Sequence, residues 1–201
     1  INLGFNSLAD ADESMDTKLF PSRSFDIYYS KPFFIGTNFS INPGLGFSSD
    51  KLSFTNDVIL SEVLDDDGIN QIIVDSLSFS PLKNSLKSTH LIIPIDFKYY
   101  FGSGDFDKGR FFVGIGAEIG FLINSSTKVK QKVNNVMNHS KIKRDFGLND
   151  LKYGFSLQLG SGNFNIFYKI YLSNLFKDDS LPLYTSLNPT LNKFGISFSV
   201  F

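Results

Sequence analysis

The chain contains no cysteine, which excludes disulfide frameworks, thiolate metal sites and cysteine nucleophiles. Its two histidines are too few for a multi-histidine metal centre. Tryptophan is absent too, so the 15% aromatic share rests on 23 Phe and 8 Tyr. An excess of one charge is also missing. Nineteen Lys and Arg face twenty Asp and Glu, which excludes a globally basic nucleic-acid binder. The longest uncharged stretch, residues 32–49, is broken by Asn, Ser, Gly and Pro, so no transmembrane helix is expected. Residue 1 is Ile and no charged-then-apolar leader follows, which reads as a processed or trimmed chain. At 201 residues, the length suits one domain or one barrel.

Alternation fills the sequence. In residues 90–101, Leu91, Ile93, Ile95, Phe97, Tyr99 and Phe101 share one face. His90, Pro94, Asp96, Lys98 and Tyr100 share the other, with Ile92 out of pattern. Residues 110–123 set Phe111, Val113, Ile115, Ala117, Ile119, Phe121 and Ile123 against Arg110, Gly114, Gly116, Glu118 and Gly120. The same pattern marks strands at 1–8, 24–31, 38–47, 151–160, 164–173 and 193–200, eight in all. A strand alternates when its two faces meet different media. No charge falls on an apolar face. The opposite faces carry Asp26, Asp96, Lys98, Arg110, Glu118, Lys152 and Lys169, four cations and three anions.

A soluble barrel turns its apolar face inward, whereas a membrane barrel turns it out to lipid. The polar faces here are small and glycine-rich, and glycine weakens an exposed strand. Bulky outside and small inside is the volume pattern of a narrow barrel with a filled lumen. The expected fold is all-β: an eight-stranded antiparallel transmembrane up-and-down barrel, one domain over residues 1–201. Its connections alternate. Long loops at 9–23, 48–89, 124–150 and 174–192 are expected to be extracellular, and short turns at 32–37, 102–109 and 161–163 periplasmic. The expected location is the bacterial outer membrane, with both termini periplasmic. Pro43 and Pro94 interrupt strands and are expected to mark bulges or unpaired positions.

The runs STHLIIPIDFKYYF, GAEIGFLINSSTKVK, DFGLNDLKYG and GNFNIFYKIYLSNLF, with YYSKPF and NPGLGFSSDKLSF before them, resemble the PorT-type outer-membrane beta-barrel family of Bacteroidetes. The resemblance covers most of the chain from residue 25 onward. It implies an eight-stranded outer-membrane barrel without a catalytic site. One member is linked to type IX protein secretion, a role that fold alone does not transfer.

Several constellations invite chemistry. Gly114, Gly116 and Gly120 have the wrong spacing for a dinucleotide fingerprint and are expected to make room for Phe112, Tyr100 or Tyr171. Asp65, Asp66, Asp67 and Gly68 hint at calcium but lack an acid at Val63, and read instead as a hairpin tip. His139 and Ser140 adjoin in a loop with no third partner fixed in reach, and His90 reads as a rim residue. Lys128, Lys130, Lys132, Lys141, Lys143 and Arg144 form a cationic set, a candidate contact for lipopolysaccharide phosphates or an acidic partner.

The interior charges are expected to form a lumen network that, with Tyr28, Tyr100, Phe112, Phe167 and Tyr171, plugs the barrel. Replacing Arg110 should then strand a carboxylate. No catalytic, cofactor-binding or metal residues are assigned. The functional expectation is a non-enzymatic scaffold or accessory subunit of a larger outer-membrane assembly, with secretion among its candidate roles. Outer-membrane lipids, lipopolysaccharide and other outer-membrane proteins are the expected partners, and nucleic acid is not. The alternatives are a small channel or ligand-binding barrel and a lipid A-modifying enzyme. Apolar Val58, Ile59, Leu60, Ile72, Ile73 and Val74 make loop 48–89 the expected contact surface.

Overall fold

A computed structural model describes residues 1–64, 70–76, 81–102, 109–133, 136–180 and 187–199. Its strands are β1 (Asn2–Ala9), β2 (Arg23–Ser30), β3 (Phe33–Ile35), β4 (Phe39–Ser53), β5 (Val58–Leu64) and β6 (Asn70–Ser76). They continue as β7 (Lys83–Tyr100), β8 (Phe111–Val133), β9 (Val136–Ile142), β10 (Leu151–Ser161), β11 (Phe164–Asn174) and β12 (Thr190–Phe198). Among the described residues, β1, β2, β4, β7, β8, β10, β11 and β12 pair antiparallel in chain order, and β12 pairs back onto β1 from Asn2↔Ser197 to Ala9↔Thr190. The ring of eight therefore leaves no open edge. β3 carries the β2–β4 hairpin past its break at Lys31 and Pro32, β5 and β6 form a separate hairpin, and β9 pairs with the far half of β8.

The alternation sorts inside from outside as a lipid-facing barrel requires. Phe25, Ile27, Leu45, Phe47, Phe97, Ile115, Phe155, Leu157 and Ile166 lie on the outer wall, 44–59% exposed. Asn2, Asp26, Ser48, Lys169 and Lys193 face the lumen at 5% or less. Burying such an apolar side chain stabilises by roughly 1.5–3 kcal/mol, and on this wall that burial has to come from outside the chain.

The two prolines mark a locally unpaired stretch rather than a bulge. The β4–β7 ladder runs to Pro43↔Ile95, skips the stretch opposite Ile93 and Pro94, and resumes in the same register at Gly46↔Ile92. The one register shift between β7 and β8 falls elsewhere, at Thr89 and His90.

The strands run well beyond the alternating segments. β4 reaches Ser53, β7 begins at Lys83 and β8 continues to Val133, so much of the expected loop regions 48–89 and 124–150 is wall. Here the polarity inverts. Leu52, Leu86 and Val129 point inward and are buried, while Lys51, Lys87 and Lys128 face out. Past the acyl region the outer face meets water and headgroups, so the apolar residues move inside. Met15, Leu52, Phe54, Leu60, Leu86, Phe146, Leu148 and Phe176 build an apolar cap over the long-loop end. The cap corrects the expected contact surface: Val58, Leu60 and Ile72 are buried in it, Ile73 is half-buried, and the side chains of Ile59 and Val74 lie outside the described residues.

Candidate functional site

Lumen positions on six strands supply an unbroken chain of alternating charges. Lys152 Nζ on β10 lies 2.9 Å from Asp50 Oδ2 on β4. Asp50 Oδ1 is 2.6 Å from Lys193 Nζ on β12, which stands 3.4 Å from Asp26 Oδ1 on β2. Asp26 Oδ2 accepts from Lys169 Nζ on β11 at 3.0 Å, and Lys169 reaches Glu118 Oε2 on β8 at 2.6 Å. The three cations balance the three anions, and every member is nearly or fully buried.

Neutral groups complete the coordination. Ser48 Oγ accepts from Lys193 at 2.8 Å and from Lys152 at 3.2 Å. The Tyr171 hydroxyl donates to Glu118 Oε1 at 2.5 Å, while the Lys152 and Lys193 ammonium groups lie 4.8 and 5.2 Å from the Tyr171 ring centroid. Asn2 and Asn6 on β1 donate to Asp26 and Asp50. A buried charge is tolerated when it is paired and its remaining valences are met.

Of the interior charges expected from sequence, Asp26, Glu118, Lys152 and Lys169 join this chain. Asp50 and Lys193 were missed. Asp50 shares parity with Ser48 but lies beyond the alternating segment, which ends at residue 47. Lys193 shares parity with Gly195 and was the first residue of its strand. Asp96 belongs to a second group, accepting from Gln158 Nε2 at 2.7 Å and Ser156 Oγ at 3.4 Å. Lys98 lies 4.6 Å from the Phe112 ring centroid.

Arg110 stands apart from the ion chain, at the short-turn end, where among the described residues it donates to main-chain carbonyls. Nη1 donates to Thr37 O at 2.8 Å, Nη2 to Tyr100 O at 3.0 Å and Gly102 O at 2.5 Å, and Nε to Phe101 O at 3.3 Å. Its guanidinium clamps two turns together, and replacing it removes that clamp.

Gly116 and Gly120 make room for ions rather than for aromatic rings. A methyl group on Gly116 would collide with the Asp96 carboxylate, and one on Gly120 with the Lys152 side chain. Phe112, Phe167 and Tyr171 fill the remaining space and are buried. His90 is a lumen residue rather than a rim one, 6% exposed, and it lines a cavity of about 30 Å³ with Ser88, Lys152 and Tyr171 beneath the cap.

His139 and Ser140 are consecutive residues of β9, opposite Lys130 and Val129, so their side chains leave opposite faces of the strand and do not meet. Asp65, Asp66, Asp67 and Gly68 lie outside the described residues, between the paired ends of β5 and β6. Lys128 and Lys130 stand on the extension of β8, with Lys141 opposite Lys128 on β9. Lys143 and Arg144 are exposed in the following loop, and the Lys132 side chain is outside the described residues.

A closed antiparallel ring with an apolar outer wall and a charged, filled lumen defines an integral membrane β-barrel. A family model for the outer membrane protein beta-barrel domain matches residues 1–192. The chain belongs to that family, whose setting is the bacterial outer membrane. No curated protein and no solved structure matches it.

Proposed function

We propose that the protein is a closed, non-conducting scaffold or accessory subunit of a larger outer-membrane assembly, without catalytic activity. The filled lumen carries this reading. Ion chain, aromatic side chains and apolar cap occupy successive levels of the barrel among the described residues and obstruct an aqueous path through it. Both chain ends then sit on the periplasmic side with the short turns, and the capped end faces outward. The resemblance to the PorT-type family of Bacteroidetes makes secretion the candidate process. The lipid-facing wall and the exposed surface of the cap are what remain for partners to hold.

Conductance of the purified barrel in planar bilayers tests closure. Baseline current is expected, and steady unitary steps would favour the small-channel alternative. Co-purification from native membranes in mild detergent tests the assembly, where a stoichiometric outer-membrane partner is expected and a barrel recovered alone would count against it. Lipid A acyl composition should be the same with and without His139→Ala.

A further inference from the structure

Just past the lipid-facing band the outer wall is unusually rich in like charges. Arg23 on β2 pairs with Lys51 on β4, and Lys51 pairs with Lys87 on β7. Lys83 on β7 stands opposite Lys130 on β8, and Lys128 opposite Lys141 on β9. Four cation–cation pairs therefore run across five neighbouring strands. Like charges directly opposite one another in a sheet are destabilising. The arrangement costs the folded barrel stability that a bound anion would restore.

The placement is as informative as the charge. Arg23 is two residues beyond lipid-facing Phe25, while Lys51 and Lys87 are each four beyond lipid-facing Phe47 and Leu91. At about 3.3 Å per residue, the patch begins about 7–13 Å past the last acyl-contacting side chains. It is on the outside of the barrel, on the wall that faces neighbouring lipid. Lys51, beyond the membrane-spanning part of β4, donates to Pro21 O at 2.8 Å. Burial, then the neighbouring Lys83, then the charges of Arg23 and Lys128, lower its pKa to about 8. A cation crowded by other cations is a poor partner for water alone and a good one for phosphate.

We infer that this patch binds the phosphate groups of an outer-leaflet glycolipid of the lipid A type, with the acyl chains lying along the apolar wall below. The inference rests on the outer-membrane setting and on the outward orientation of the capped end proposed above, not on the closed-scaffold reading. It gives the sequence-level cations Lys128, Lys130 and Lys141 their partners Arg23, Lys51, Lys83 and Lys87, which are distant in sequence and joined only by register.

The full chain in detergent micelles tests it, with binding measured for diphosphoryl lipid A, its dephosphorylated form and inorganic pyrophosphate. The phosphorylated lipid is expected to bind at least tenfold more tightly than the dephosphorylated one. Pyrophosphate is expected to compete only at tenfold or greater excess. Lys51→Gln, Lys83→Gln, Lys128→Gln and Lys141→Gln combined should weaken lipid A binding at least tenfold. The same four positions as Arg should retain it. Without lipid the Gln variant should melt no lower than the parent, since it relieves repulsion. Equal affinity in parent and Gln variant, or for phosphorylated and dephosphorylated lipid, overturns the inference. Pyrophosphate binding as tightly as lipid A overturns the lipid as its source. Each result leaves the conductance prediction standing, so the two readings fail separately.

Discussion

Asp26 holds two lysines at once, and its loss shows most plainly what the lumen chain does. Asp26→Asn leaves Lys169 with Glu118 and Lys193 with Asp50, but with one cation in excess. Removing one partner of a buried pair costs about 3–5 kcal/mol, so urea unfolding in micelles should show a loss of that order. Lys152→Met with Asp50→Asn removes a neutral end pair and leaves four alternating charges. That double variant is expected to lose less than the sum of its singles, and additivity would mean that the two residues do not interact. Gly116→Ala drives a methyl into Asp96 and Ser156, and a loss of about 1–3 kcal/mol is expected from such overpacking.

Lys51 gives a pH signature of opposite sign to that of an ordinary paired lysine. Its folded pKa of about 8 lies below the unfolded 10.5. Between those values the unfolded chain binds more protons, so stability rises with pH across that window. The groups that face it are Arg23 on β2, Lys83 and Lys87 on β7 and Lys128 on β8. The melting temperature of the parent should gain on that of Lys51→Met between pH 8 and 10.5, and parallel curves would show that the crowding is not felt.

At the scale of the element, a strand here is a single pleated ribbon crossing three media. β4 is apolar-out at Leu45 and Phe47 and cation-out at Lys51, with Leu52 turned into the cap. Period-two reading found the lower parts of all eight barrel strands, because there the contrast between faces is one of grease against small polar groups. It lost the strands above the acyl band, where the contrast reverses and Leu52 or Leu86 looks like a break in pattern. The short turns behave differently, since their order depends on one side chain. Arg110→Leu should raise amide exchange at Gly102 and Asn38 while leaving the amides of β11 and β12 protected. Uniform loss of protection would instead place Arg110 in the cooperative core.

For the whole molecule, six of the eight barrel strands contribute one charge each to a continuous neutral chain. Such a chain fixes relative register, because a strand displaced by one residue would turn its charge out to lipid. Most of its members were readable from parity alone. Their connectivity was not, because which lysine meets which carboxylate depends on barrel stagger, a property of closure rather than of any one segment. The cap was illegible for a related reason: Met15, Phe146 and Phe176 come from three separate connections and Leu52 from the far end of β4, and they share no local pattern.

Outward grease and a sealed interior are tested together by a cysteine scan of β10, for which the natural absence of cysteine leaves a clean background. Single cysteines at Tyr153, Phe155 and Leu157 should react with a membrane-soluble maleimide and resist a charged thiosulfonate. Cysteines at Ser156 and Gln158 should resist both. Labelling of the latter pair by the charged reagent would reveal a wet lumen, and failure of the former to react from the lipid phase would mean that the wall does not face the bilayer.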